Sequence, residues 1–286
     1  MQASLSETLS KGRVGVVLSS GFFGFYAHAG FVQALGAAGI RSHVYAGSSA
    51  GALVAGFCAG GELDAFIPQL TSLRRKDFWD PAIRMGRPWG LLKGRRFLSL
   101  LDKLLPVKTF EVCKTPILTV ATDLDSGERR VDTSGLLVPA IASSCALPFL
   151  FQPVVREGRR LADGGIIDKA PIEALIDHYE LDALLVHLIH SRNVGIKAPS
   201  APRKFLGWCL DNSRNASWRT QAALAEARGI PTYIIETEPS SIGPFSMKRG
   251  AKIIEQTRKR VAAQLSQETL YFSAGHLLKS SVHRPS

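Results

Sequence analysis

The chain has 286 residues, 45% hydrophobic and 21% charged, enough apolar material for one large or two small globular domains and too much for a disordered chain. Thirty-five Lys and Arg against twenty-four Asp and Glu leave a formal charge of +11, which favours anionic partners such as acidic lipid surfaces or nucleic acid without choosing between them. Four cysteines, Cys58, Cys113, Cys145 and Cys209, lie far apart with no C-x-x-C pair, so neither a zinc knuckle nor a disulfide framework is expected, and a reducing compartment fits.

The opening segment MQASLSETLSKGR is polar, whereas a cleaved export signal needs an apolar core of roughly 7–15 residues; no export signal is read, and a cytoplasmic or peripheral-membrane location is expected. Arg13 to Ser19 (RVGVVLS) is a short apolar run ending in small residues, a buried strand followed by a tight loop. From Gly24 to Ala38 the residues Phe25, Ala29, Val32 and Leu35 recur at helical spacing, with Gly39 as the stop. His43 to Ala46 reads as a second strand running into Gly47-Ser48-Ser49-Ala50-Gly51, and Ala50 to about Ala59 as a second helix. Strand, helix, strand, sharp turn, helix is how a parallel α/β sheet begins.

Pro116 to Ala121, Ala183 to Ile189 and Pro231 to Glu236 read as further core strands, and Pro171 to Tyr179 and Lys248 to Gln267 as helices. Leu136 to Val155 carries no formal charge and is about as long as a bilayer-crossing helix. Pro139, Pro148 and Pro153 interrupt it, so a buried, broken segment beneath a functional site is expected instead of a membrane span. With no internal repeat or obvious linker, residues 1–286 are expected to form one α/β domain, its core at about 14–190, a C-terminal strand and helices at about 200–268 and a flexible tail at 270–286.

The chemistry concentrates at Gly47-x-Ser49-x-Gly51. Between a strand and a helix this is the pattern of a nucleophile elbow, in which Gly47 and Gly51 permit a turn that exposes the serine hydroxyl. The N–H of Ala50, at the helix start, is free to donate to an oxyanion. A serine needs a base to take its proton, and the residues leave two open: His276, late in the chain, and Asp163 in Leu161-Ala162-Asp163-Gly164-Gly165, on a glycine turn after the chain crosses back through Phe151 to Arg160.

The elbow near the N-terminus, a glycine-containing loop after the first strand and the downstream Asp163-Gly164-Gly165 together resemble the patatin-like phospholipase family. Ala121-Thr122-Asp123-Leu124 with its turn Ser126-Gly127, and Ala142-Ser143-Ser144-Cys145-Ala146-Leu147-Pro148, resemble what lies between the family's two catalytic motifs. The likeness runs from about Val14 to Leu175. It implies a mainly parallel sheet flanked by helices, a modified α/β-hydrolase-type three-layer sandwich, and a Ser–Asp dyad with no catalytic His. On this chain that makes Ser49 the nucleophile and Asp163 the base for cleaving carboxylic esters of lipids through an acyl-enzyme, with no cofactor and no metal.

The oxyanion loop departs from the family pattern G-x-G-x-x-G with a basic residue before the last glycine. Ser19-Ser20-Gly21-Phe22-Phe23-Gly24 lacks the first glycine and the basic residue. Counting back from Ala27-His28-Ala29-Gly30 instead places Gly24 where the basic residue belongs; the register keeping Gly21 and Gly24 is preferred. Backbone N–H groups of Gly21, Phe22 and Phe23, with Ala50, are the expected oxyanion donors.

Two other readings stay open: a Ser-His-Asp esterase or thioesterase using His276, and a lipid-surface binding protein with a weakened site. His28 reads as a helix-face group, His187 and His190 as a poor metal pair on opposite strand faces, Cys145 as buried core, and Asp123 and Asp125 as structural. The charge excess lies in residues 71–105, at +6, and 192–220, at +5. Both interleave aromatics: Phe78, Trp79, Trp89 and Phe97 in the first, Phe205, Trp208 and Trp218 in the second. This mixture suits an anionic membrane interface or, equally, a solvated face with its aromatics turned inward; nucleic acid ranks third, for want of a motif. The oligomeric state is not readable.

Overall fold

The computed structural model describes residues 9–21, 23–61, 63–82, 90–190, 196–238, 249–266, 272–273 and 276–277. In chain order the elements are β1 (Val14–Leu18), α1 (Phe25–Ala37), β2 (Val44–Ser48), α2 (Ala50–Ala59), α3 (Leu63–Ser72), β3 (Gly90–Leu92), α4 (Arg95–Leu104), β4 (Ile117–Asp123), β5 (Arg129–Asp132), α5 (Leu137–Ser144), β6 (Phe149–Phe151), β7 (Val154–Arg156), β8 (Arg159–Asp163), α6 (Ile172–His178), β9 (Ala183–Ile189), α7 (Pro202–Ala227), β10 (Thr232–Thr237) and α8 (Gly250–Ser266), then a short ribbon of β11 (Phe272–Ser273) and β12 (His276–Leu277).

One sheet runs in the order β10-β9-β1-β2-β4-β8-β7, with β5 also paired to β4. The five strands from β10 to β4 are parallel, whereas β8 pairs antiparallel with both β4 and β7 and β5 antiparallel with β4. β1 is VGVVL, buried at every position, and lies inside the sheet because a continuous apolar strand needs cover on both faces. Strand alternation then divides two cores. Val14, Val16 and Leu18 face the layer containing α1, α2 and α8; Val17 faces α6 and the C-terminal half of α7, where Trp218, Ala222 and Ala225 are buried. The result is a three-layer sandwich.

The strands and helices expected from periodicity are present with ends shifted by a few residues. The Leu136–Val155 segment is short helix α5 followed by two brief strands, and Pro139 falls in the first turn of α5, where its missing N–H breaks no intrahelical bond. No helix among the described residues is long and apolar enough to cross a membrane. Of the tail at 270–286, the ribbon alone is described; the rest, with the side chain of His276, lies outside the described residues. Within the first basic segment Phe97 is buried, stacks on Phe151 at 5.6 Å and meets Phe78 in a tilted pair at 5.9 Å, so these two turn inward, whereas Trp79 is 42% exposed; Arg84, Arg87 and Trp89 lie outside the described residues.

Candidate active site

β2 ends at Ser48, and the next residue has φ +53 and ψ −118 before α2 begins at Ala50. For a non-glycine residue this backbone is sparsely populated, and it persists only where the surroundings hold it. Here they do. The Ser49 N–H donates to Ser144 Oγ at 2.9 Å, and the Ser49 carbonyl accepts from Cys145 Sγ at 3.2 Å. Cys145 is therefore not simply core: it is half-buried against the backbone of the nucleophile candidate, and burial raises its thiol pKa well above the ordinary value, so it stays protonated. The elbow's tightness is visible at Gly51, where a Cβ would stand 2.0 Å from the Leu18 carbonyl oxygen, and at Gly47, where it would stand 2.5 Å from Ala52.

Sheet register brings the carboxylate over. Ser48 lies opposite Val120 on β4, and the neighbouring Ala121 opposite Asp163 at the end of β8. The end of β2 and the end of β8 therefore meet from either side of the middle of β4. Asp163 is 3% exposed. Its Oδ2 accepts the Ser49 hydroxyl at 2.5 Å and its Oδ1 the N–H of Gly165 at 2.8 Å. Its backbone is fixed as well: its N–H donates to Ala146 O at 3.0 Å and its carbonyl accepts from Thr122 Oγ1 at 2.8 Å. The glycine turn follows from crowding, since a Cβ on Gly164 would meet Val120 O at 2.3 Å and one on Gly165 would meet Ser20 at 2.5 Å.

Burial pushes the Asp163 pKa up to about 6, opposed by the Ser49 and Gly165 hydrogen bonds and by the charge of Arg214. Arg214 comes from α7, donates to the Gly165 carbonyl at 3.1 Å and forms an ion pair with Asp211. One residue, Gly165, thus gives its N–H to the carboxylate and its carbonyl to the guanidinium. Nearby Lys169 is 2% exposed, and burial lowers its pKa to about 8; its carbonyl accepts the N–H of Ser20 at 2.7 Å.

The loop after β1 makes a turn in which the Gly24 N–H donates to Gly21 O at 2.7 Å, Phe23 takes φ +58, and both glycines press on Ile189. Phe22 lies outside the described residues. His28 is fully buried and touches neither Ser49 nor Asp163: its Nε2 meets Ser19 O at 2.8 Å and its Nδ1 meets His187 Nδ1 at 2.8 Å. His190 pairs with Glu236, Asp123 with Arg159 and Asp125 with Arg160, whereas the Ser49 hydroxyl donates to Asp163. Sequence reasoning missed Ser144, Arg214 and Lys169. Ser144 lies in the stretch Ala142 to Pro148 but carried no signal of its contact, and Arg214 is 49 positions from Gly165 in a segment that stands out by its charge and aromatics alone.

A sequence model described as patatin-like phospholipase matches residues 16–176. An uncharacterised NTE family protein of Mycobacterium tuberculosis is 33% identical over 211 residues, covering 73% of this chain and 58% of that protein. A lysophospholipase, NTE1, of Mycosarcoma maydis is 26% identical over 271 residues, 90% of this chain and 13% of its own length. The chain thus spans under two thirds of the length of these curated relatives. Among solved structures, VipD from Legionella pneumophila superposes with a TM-score of 0.43 at 13% identity, covering 88% of this chain and 67% of that one. The matched segment contains most of β1, the Ser49 elbow and the Asp163 turn and makes up more than half of the chain, so this protein belongs to the patatin-like phospholipase family.

Proposed function

We propose that this chain hydrolyses carboxylic esters of lipids with Ser49 as nucleophile and Asp163 as general base. The observation that carries the reading is the 2.5 Å contact from Ser49 Oγ to Asp163 Oδ2 at a strained strand-to-helix turn. No histidine bonds to either group among the described side chains, which favours a dyad over a triad. Lipid substrates are supported by family membership and by the lysophospholipase among the relatives.

Ser49 Oγ attacks the ester carbonyl carbon as its proton passes to Asp163, and the carbonyl π electrons move onto oxygen. Backbone N–H groups of Ala50 and of the Gly21–Phe23 loop meet that oxyanion. Collapse breaks the bond to the alkoxy oxygen, which leaves as the alcohol with the proton from Asp163. Water then attacks the acyl-enzyme, giving its proton to Asp163; the acyl carbon–Oγ bond breaks, and Oγ recovers the proton.

The test is fatty-acid release from mixed phospholipid and neutral-lipid vesicles, with chelator present, by wild type, Ser49→Ala and Asp163→Asn. Wild-type release that each substitution lowers by about 10³-fold or more is the expected result. Release that survives Asp163→Asn would remove Asp163 as the base.

A further inference from the structure

The geometry points to the N-terminal half of α7 as the surface that docks this protein on an anionic lipid bilayer, next to the catalytic turn. The idea deepens the hydrolase reading and relies on it only for its purpose; the docking surface is argued from what α7 exposes.

The two halves of α7 differ. From Asn215 to Ala225 the buried residues Asn215, Trp218, Gln221, Ala222 and Ala225 recur at helical spacing and join the core. From Pro202 to Leu210 the apolar residues face outward instead: Phe205 is 46% exposed, Leu206 61% and Leu210 51%. Exposed side chains of this size at adjacent helical positions form a ridge that water solvates poorly. The ridge is also braced. Phe205 stacks on Trp208 with ring centroids 6.0 Å apart, and Trp208 Nε1 donates to the carbonyl of Ile196 at 3.0 Å, itself 52% exposed.

Charge selects the occupant. Between Asp182 and Asp211 the sequence has no acidic residue, while Arg192, Lys197, Arg203 and Lys204 are all cationic. Lys197 and Lys204 are both exposed, and an aliphatic and aromatic ridge flanked by these cations matches the interfacial region of a bilayer containing acidic headgroups. A second copy of the chain meeting this ridge about a two-fold axis would bring like charges together.

The ridge also continues into the site. Leu206, Leu210 and Arg214 are spaced by four, along one side of the helix, and Arg214 holds the Gly165 carbonyl beside Asp163. With a rise of about 1.5 Å per residue, Leu206 and Arg214 are roughly 12 Å apart along the axis. A lipid leaving the bilayer at this ridge has a short path to Ser49.

The experiment is co-sedimentation with phosphatidylcholine vesicles containing or lacking phosphatidylglycerol, alongside turnover of water-soluble p-nitrophenyl butyrate and a circular-dichroism melt. Wild type, L206D/L210D and K197E/K204E are compared. Wild type should pellet with phosphatidylglycerol vesicles, and both variants should bind roughly tenfold or more weakly while keeping their melts and soluble-ester turnover. Equal binding by L206D/L210D, or no pelleting of wild type, overturns the docking surface. So does a sedimentation-velocity dimer that L206D/L210D dissolves while vesicle binding is unchanged. Failure of wild type to hydrolyse the soluble ester sinks the hydrolase reading instead, and the pelleting comparison, with folding checked by the melts, still decides the docking.

Discussion

Taking a carboxylate out of water raises the cost of its charge. For Asp163 burial wins over two hydrogen bonds and the Arg214 charge, leaving a pKa of about 6 against an ordinary value of 3.8. As a base the group must be ionised, so soluble-ester turnover should rise with pH through about 6 and level off above 7, measured as kcat/KM in overlapping buffers. The same shift has a stability side. The folded state holds a proton between pH 3.8 and about 6 that the unfolded chain has released, so stability at pH 8 is lower by about 3 kcal/mol than with no shift. Asp163→Asn should therefore abolish turnover yet raise stability at pH 8 by up to about 3 kcal/mol in urea unfolding, a gain that shrinks toward pH 4. An inactive variant with no stability gain would show that the carboxylate is better solvated than its burial implies. Position and chemical type at this scale were legible in the sequence: Gly47, Ser49, Gly51 and Asp163-Gly164-Gly165 are close-range patterns, forced by a crowded backbone in which a Cβ has nowhere to go.

The element α7 shows where legibility stopped. Its buried positions Asn215, Trp218, Gln221, Ala222 and Ala225 include two polar residues, and its other half presents apolar ones outward, so the usual correspondence between apolar stripe and core fails along it. The antiparallel strand β8 was hidden for a related reason: RRLAD is exposed at its first two residues and buried at the last three, too short for a period to register. What α7 adds to the site is a cation on the far side of Gly165. Removing it should weaken the hold on the Asp163 turn and remove an opposing charge, so Arg214→Gln is expected to move the acid limb of kcat to higher pH, with KM for a soluble ester little changed, and Arg214→Lys to restore part of the shift. The groups facing Asp163 there are Ser49, the Gly165 N–H, Arg214 and the protonated Cys145, and of these Arg214 alone carries a charge that assists ionisation. An identical pH profile in Arg214→Gln would reduce Arg214 to a packing role.

Across the molecule, β1, β9 and β10 are tied below the oxyanion loop by a relay of neutral rings. Ser19 O can only accept, so His28 Nε2 carries a proton; His28 Nδ1 must then accept from His187 Nδ1, and His187 Nε2 from the Thr237 hydroxyl, at 2.8 Å in each case. Phe31 stacks on the His187 ring at 4.3 Å. Burial lowers His28 to about 4 and His187 well below its usual value, the latter also through His28. Protonating either ring places a charge in this buried relay and turns the Thr237 hydroxyl from donor to acceptor. Because the folded values are depressed, the unfolded chain takes up protons the native state refuses once pH falls below about 6.5, and the stabilisation present above that value is lost toward pH 4. Asp163 and Asp168, both raised by burial, act in the opposite sense over an overlapping window, so the total pH dependence of stability can be shallow even while each contribution is large. The difference between wild type and variant isolates the pair. His28→Gln should destabilise at pH 7.5 by removing the relay, and the gap in unfolding free energy should narrow by about 2.5 kcal/mol at pH 4.5, where wild type bears the cost of keeping His28 neutral and the variant does not. A gap that stays constant between those pH values would mean that the two rings do not share the one proton arrangement their contacts require.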